Sequence, residues 1–164
     1  YLLFCNLREI IRNLDQGEIM NRVISIDPGI QKCGLLLADI ELGLVLDARI
    51  VDSRAVSAVI VSWINEFHVE NIILGNGTSS KYWEKIIKDL VYINIQIVDE
   101  RGTTLRARFR YWELWPPKKW FSWLLRGILL PPKYLDSIAA LVLLEDHLNR
   151  KLTWKTSPDF RILL

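Results

Sequence analysis

Apolar positions in this chain fall first into short unbroken runs and then into helical spacing. VISI (23–26) has the length and composition of an inner sheet strand. Asp27 closes that run and Pro28-Gly29 breaks it, because Pro fixes φ and Gly permits positive φ. KCGLLLADI (32–40) reads as a second strand, ELG (41–43) as a tight connection and LVLDARIV (44–51) as a third strand. Together they predict an antiparallel meander. The period then changes. From Ser53, an N-cap residue type, Val56, Val59, Ile60, Trp63, Ile64 and Phe67 recur at i, i+3, i+4 spacing and predict a helix.

NIILG (71–75) is a short buried strand followed by the polar loop NGTSS, and SKYWEKIIKDL (80–90) is a helix with Trp83, Ile86, Ile87 and Leu90 inward. INIQIVDE (93–100) is a fifth strand and TTLRARFRYWEL (103–114) a basic helix. WPPKKW then makes a rigid break, FSWLLRGILL a short helix or turn, and LDSIAALVLLEDHL (135–148) a final helix. The polar tail from Asn149 has no assignable element.

Three meander strands followed by α-β-α-β-α predict an α/β fold. Its mixed five-stranded sheet has strands 1–3 antiparallel, and strands 4 and 5 return through helical crossovers parallel to strand 1. Helices flank both faces. That order is the ribonuclease H-like architecture. The domain is expected over 20–150, with 151–164 as a C-terminal tail. Residues 1–19 are expected to be an extension or partial leader outside the core, since Met20 is the only Met and a strand-first domain begins naturally just after it. An amphipathic helix over Leu7–Leu14 packed on the domain is the alternative.

At 164 residues and 51% hydrophobic, the chain has material for one real core and does not read as disordered. No run of 18 apolar residues exists, so no membrane span is expected. Two cysteines without a CxxC, and two histidines, exclude a thiolate zinc cluster of the usual spacing. Cys33 reads as a small core hydrophobe, and a reducing compartment, the cytoplasm, is expected. Charge is uneven: eight Lys and Arg between Arg101 and Lys133 face one acid, so that segment carries +7 on a chain whose total is +2, leaving −5 elsewhere. Such asymmetry suggests a polyanion-facing side.

Strands running the same way end at the same sheet edge, where open α/β sheets bind ligands. Asp27 ends strand one and Asp99-Glu100 end strand five. Asp136 opens the last helix, and the small residues Ser137, Ala139 and Ala140 let that helix lie close to the sheet. Carboxylates gathered there would repel one another unless cations neutralised them. Mg²⁺ or Mn²⁺, hard ions that take oxygen ligands, suit that task. Two such ions clamp the attacking and leaving oxygens of a phosphodiester. Each acid also has a local alternative. Asp27 could be a turn residue bonding its own backbone, Asp99-Glu100 a strand end paired with Arg101, and Asp136 an acid favoured by the helix dipole.

Three further segments offer contacts to phosphate. In DERGTT (99–104), Thr103 and Thr104 can cap the next helix, whose N-terminal amides suit an anion. In GNGTSS (75–80), Asn76 and Thr78 sit among glycines in a strand-to-helix loop without the Lys of a P-loop. RARFRYWELWPPKKWFSW (106–123) interleaves Arg106, Arg108, Arg110, Lys118 and Lys119 with four of the seven Trp. That mixture suits backbone contact with base stacking, or a surface that docks a protein partner. Phe109, Trp112 and Trp115 equally fit a buried helix face with the arginines outside.

RVISIDPGIQKCG, IILGNGT, VDERGTTLRA and LDSIAALVLLEDHL together resemble the YqgF/RuvX family, ribonuclease H-fold relatives of the RuvC Holliday-junction resolvases. The similarity spans about residues 21–149. Its most specific part is Asp-Glu-Arg-x-Thr-Thr-x-x-Ala, met at Asp99, Glu100, Arg101, Thr103, Thr104 and Ala107. The family's Asp-x-Gly falls on Asp27 and Gly29, and its Asp-x-x-Ala-Ala on Asp136, Ala139 and Ala140. The GNGT loop also resembles the Tex transcription-accessory proteins. RuvC resolvases carry a Glu at the end of strand four, where this chain has Gly75-Asn76-Gly77, and a second Asp where it has Lys133. The family's usual Arg after strand one is Lys32 here. The resemblance implies a metal-dependent nuclease of the kind that matures the 5′ end of pre-16S rRNA, with RNA favoured over DNA. It implies Asp27, Glu100 and Asp136 as ligands of Mg²⁺ or Mn²⁺ and Asp99 in support, with Lys32, Arg101 and the 106–110 arginines positioning the strand.

Overall fold

The computed structural model describes residues 21–116, 135–155 and 162–163. The expected extension at 1–19 and the basic and aromatic positions Lys118, Lys119, Trp120, Phe121 and Trp123 lie outside the described residues. The elements run β1 (Arg22–Asp27), β2 (Lys32–Asp39), β3 (Leu44–Asp52), α1 (Val56–Phe67), β4 (Val69–Gly75), α2 (Ser80–Leu90), β5 (Asn94–Val98), α3 (Thr103–Leu114), α4 (Asp136–Leu148) and β6 (Ile162–Leu163).

The sheet order is β5-β4-β1-β2-β3-β6. β1, β2 and β3 pair antiparallel, and β1, β4 and β5 pair parallel. This is the strand order and direction of the ribonuclease H-like fold. The five expected strands are all present, and two residues of β6 add a parallel rung beside β3.

Alternation in β1 and β2 splits the core between the two sheet faces. Ile24, Ile26, Cys33, Leu35 and Leu37 point to one face and are covered by α1 and α2 through Val56, Ile60, Trp63, Trp83 and Ile87. Val23, Leu36 and Ala38 point to the other and meet Ala140, Leu141, Leu143 and Leu144 of α4. Because α3 packs on the far side of α4 through Ala107 and Tyr111, α4 is buried continuously from Ser137 to Glu145. That explains why its sequence is apolar on nearly every side.

Two local expectations need correction. Ser53 does not cap α1: Ala55 takes the N-cap position, without a side-chain bond. The tail is also tied down at its start. Asn149 ends α4 in the left-handed region at φ 48°, Leu152 is buried, and Thr153 exchanges backbone bonds with Gly43 and Val45 at 2.8 and 2.9 Å. Among the described residues, no helix is long and apolar enough to cross a membrane.

Candidate active site

Parallel pairing brings the C-terminal ends of β1, β4 and β5 to one edge. Asp27 stands there opposite Gly34 of β2. Partners from α2 and β2 pin the turn behind it. Ser79 Oγ donates to the Pro28 carbonyl at 2.8 Å; Trp83 Nε1 at 3.1 Å and Cys33 Sγ at 3.5 Å donate to that of Gly29. The Asp27 carboxylate itself makes no hydrogen bond with the described residues, so the local-turn alternative is not what holds it. Its pKa is pushed up to about 7, chiefly by desolvation and further by repulsion from Glu100 and then Asp136.

Asp136 reaches this edge because α4 begins directly over Gly34. A Cβ at position 34 would overlap the Asp136 backbone carbonyl and stand 2.8 Å from the Ser137 nitrogen. The Asp136 carboxylate is half-buried, with Lys32 Nζ 3.7 Å from Oδ2. Oδ2 is buried and has no hydrogen-bond partner.

Glu100 arrives from the loop after β5. Its carboxylate lies across Gly75 and Gly77 at the end of β4. Burial raises its pKa, the Gly77 amide opposes that rise by hydrogen bonding, and the charge of Asp99 adds to it. Oε2 of Glu100 is a second buried oxygen without a hydrogen-bond partner.

Asp99, expected among the acids, points elsewhere. It is exposed, accepts from the Arg101 amide at 3.2 Å and from Asn76 Nδ2 at 3.3 Å, and lies 3.4 Å from Arg101 Nε. For this residue the strand-end pairing is what forms. Thr103 also differs from expectation. It is buried, and its hydroxyl donates to the Glu100 carbonyl instead of capping α3, whose N-cap is Gly102 at φ 70°. Thr104 is exposed on the first turn, and Asn76 and Thr78 are exposed on the β4–α2 loop.

The basic residues divide. Arg101 and Arg108 are exposed. Arg106 pairs with Asp146 at 2.7 Å and bonds the Arg101 carbonyl at 2.8 Å. Arg110, expected to face solvent or phosphate, is almost covered instead. It binds Glu145 at 2.7 and 2.9 Å and the Leu152 carbonyl at 2.8 Å, because Glu145 is buried and needs a cation. Trp112 and Trp115 are half-buried, with Trp115 stacked edgewise on Trp154 at 5.2 Å, whereas Phe109 is half exposed.

Three carboxylates share one field, and two of them carry a buried oxygen without a hydrogen bond, Glu100 Oε2 and Asp136 Oδ2, the latter 3.7 Å from the Lys32 ammonium; oxygen donors are the kind that hard divalent cations take. As they stand, no three His, Cys, Asp or Glu side chains among the described residues are placed so that they could hold a metal ion together. Glycines at 34, 75 and 77 are the residues that sequence reasoning left without this role. The Gly-x-Gly around Asn76 was the available signal.

No family model matches the chain, and no curated protein matches it. Among solved structures, a chain of T. thermophilus RuvC in complex with a Holliday junction substrate is 16% identical at a TM-score of 0.43, covering 77% of this chain and 92% of that one.

Proposed function

We propose that this protein is a divalent-metal-dependent nuclease that hydrolyses phosphodiester bonds in structured nucleic acid, RNA in preference to DNA, in the manner of the YqgF/RuvX proteins it resembles. One observation carries the reading. Asp27 is a carboxylate at a sheet edge with no hydrogen-bond donor among the described residues, and Glu100 and Asp136 both press on its charge. Folding an acid into that position costs stability unless a cation is its intended partner.

Asp27, Glu100 and Asp136 would hold Mg²⁺ or Mn²⁺. The bound ion would supply Lewis-acid polarisation of the phosphate and a water of lowered pKa. The chain's own residues do the rest. Trp83, Ser79 and Cys33 fix the turn that orients Asp27. Lys32 sits beside Asp136, with its ammonium 3.7 Å from the carboxylate, and would meet a phosphate oxygen there. Arg101 and Arg108 offer exposed charge to the backbone of the strand. Arg110 and Thr103 drop out of the contact surface, because both are spent inside the fold. The buried free thiol of Cys33 agrees with a cytoplasmic setting.

The test is cleavage in Mn²⁺ of matched single-stranded RNA, duplex RNA and a four-way DNA junction, with and without EDTA. The expected result is metal-dependent cleavage of structured RNA that Asp27→Asn abolishes without unfolding the protein. Full activity in Asp27→Asn would remove the proposed role. A second reading, a nucleic-acid-binding module without catalysis, draws on the absence, among the described residues, of three acidic, His or Cys side chains placed to hold a metal ion. It predicts salt-dependent binding that Asp27→Asn and EDTA leave unchanged.

A further inference from the structure

Two glycines flank Asn76, and their backbone angles do not require glycine. Among the described residues the glycines at positive φ are Gly43 and Gly102, so Gly75 and Gly77 lie in conformations open to other residues. Occupied space is what a side chain there would meet, and it could enter only if the Glu100 carboxylate moved aside. A Cβ on Gly75 would overlap Glu100 Oε2 and stand 3.0 Å from Pro28 Cδ. A Cβ on Gly77 would overlap Glu100 Oε1 and stand 2.9 Å from its Cδ, and the atoms it would crowd all belong to Glu100. The Gly77 backbone N–H also favours the charged form of the same carboxylate. Between the glycines, Asn76 grips the chain that carries the acid. Its side-chain oxygen accepts from the Glu100 amide at 3.1 Å, its Nδ2 donates to Asp99 at 3.3 Å, and its own amide donates to the Val98 carbonyl at 2.9 Å.

We propose that Gly75-Asn76-Gly77 is a seat for the Glu100 carboxylate, and that these three are positioning residues for the metal site rather than a cradle for a phosphate. A loop at the end of β4 thereby places an acid that belongs to β5. The seat restricts the Glu100 side chain before any ion arrives and leaves Oε2 buried without a hydrogen-bond donor. An ion then need not itself order the longest of the three acids, and pre-ordered ligands bind more tightly. The use of the seat rests on the metal-dependent reading; its geometry does not.

A double-variant cycle on the full chain tests the proposal, with Gly77→Ala, Glu100→Ala and the two combined. Each is read by thermal unfolding without metal and by Mn²⁺ titration followed through the EPR signal of the free ion. Mn²⁺ affinity is expected to fall about tenfold or more in Gly77→Ala, the scale of losing a residue that orients a ligand. The double variant is expected to bind no more weakly than Glu100→Ala. A Gly77→Ala chain that unfolds with Glu100 present and folds when Glu100 is Ala also supports the seat. Equal destabilisation in both backgrounds overturns it, as does a folded Gly77→Ala protein with wild-type Mn²⁺ affinity. A wild-type protein that binds no Mn²⁺ removes the metal reading and with it the positioning role. Coupling in thermal unfolding would in that case show the seat as a purely structural contact.

Discussion

The backbone carbonyl of Asp136 occupies the space where residue 34 would carry a Cβ. Gly34 pairs with Asp27 across β1 and β2, so this contact sets how closely the N-terminus of α4 approaches the strand that ends in Asp27. Gly34→Ala should therefore push α4 away from the sheet. Overpacking of this kind costs about 1–3 kcal/mol, which denaturant unfolding would measure. Mn²⁺-dependent cleavage should fall further than that loss of folded protein explains. A Gly34→Ala protein with unchanged stability would mean that α4 is not held at this distance.

Stability in the absence of metal should fall as pH rises through the window from about 4 to about 7. Asp27 has a folded pKa pushed up to about 7 from an ordinary 3.8. Over that range the folded chain keeps a proton that the unfolded chain has released, so folding is favoured at the acidic end and the advantage is gone above the folded pKa. Glu100, also raised, contributes with the same sign. Melting temperatures between pH 4.5 and 8 in EDTA should show the slope, Asp27→Asn should flatten it, and Mn²⁺ at pH 8 should raise the melting temperature of the wild type by a few degrees. A rising profile in wild type would contradict the desolvated state of Asp27.

Arg110→Ala should be severely destabilising, by about 3–5 kcal/mol, because it leaves Glu145 buried and uncompensated between α3 and the chain after α4. Arg110→Ala with Glu145→Leu should recover much of the loss. Chemical denaturation of the four proteins in that cycle decides the matter. A loss of nucleic-acid affinity without loss of stability would instead return Arg110 to the binding surface.

Trp83→Phe should keep most of the burial in the α2 face of the core and lose the bond from Nε1 to the Gly29 carbonyl. About 1 kcal/mol of stability is expected to go with that bond. If the turn aims Asp27, kcat should fall several-fold with KM little changed. Equal losses in both would place the effect in general loosening of the domain.

The elements were legible wherever local periodicity carried the information. Helices over 80–90 and 103–114 have the bounds that spacing alone predicts, since the apolar stripe and the flanking turn residues are both local. The meander and its two parallel additions follow from connection length and handedness. The gathering of Asp27, Glu100 and Asp136 at one edge was also foreseeable, because strand direction decides which residues end together. What the linear pattern could not reveal was the choice of partner across space. Arg110 and Glu145 are 35 positions apart, and nothing near either predicts that burial of the acid claims the arginine. Asp99 and Glu100 are neighbours, yet Asn76 and the Arg101 amide draw one outward while Gly75 and Gly77 receive the other. Ile162 and Leu163 join the sheet only because β3 presents an open edge to them. Periodicity is a property of a segment and its solvent. Pairing, desolvation and the room left by a missing Cβ are properties of segments brought together, and they exist only once the chain has closed on itself.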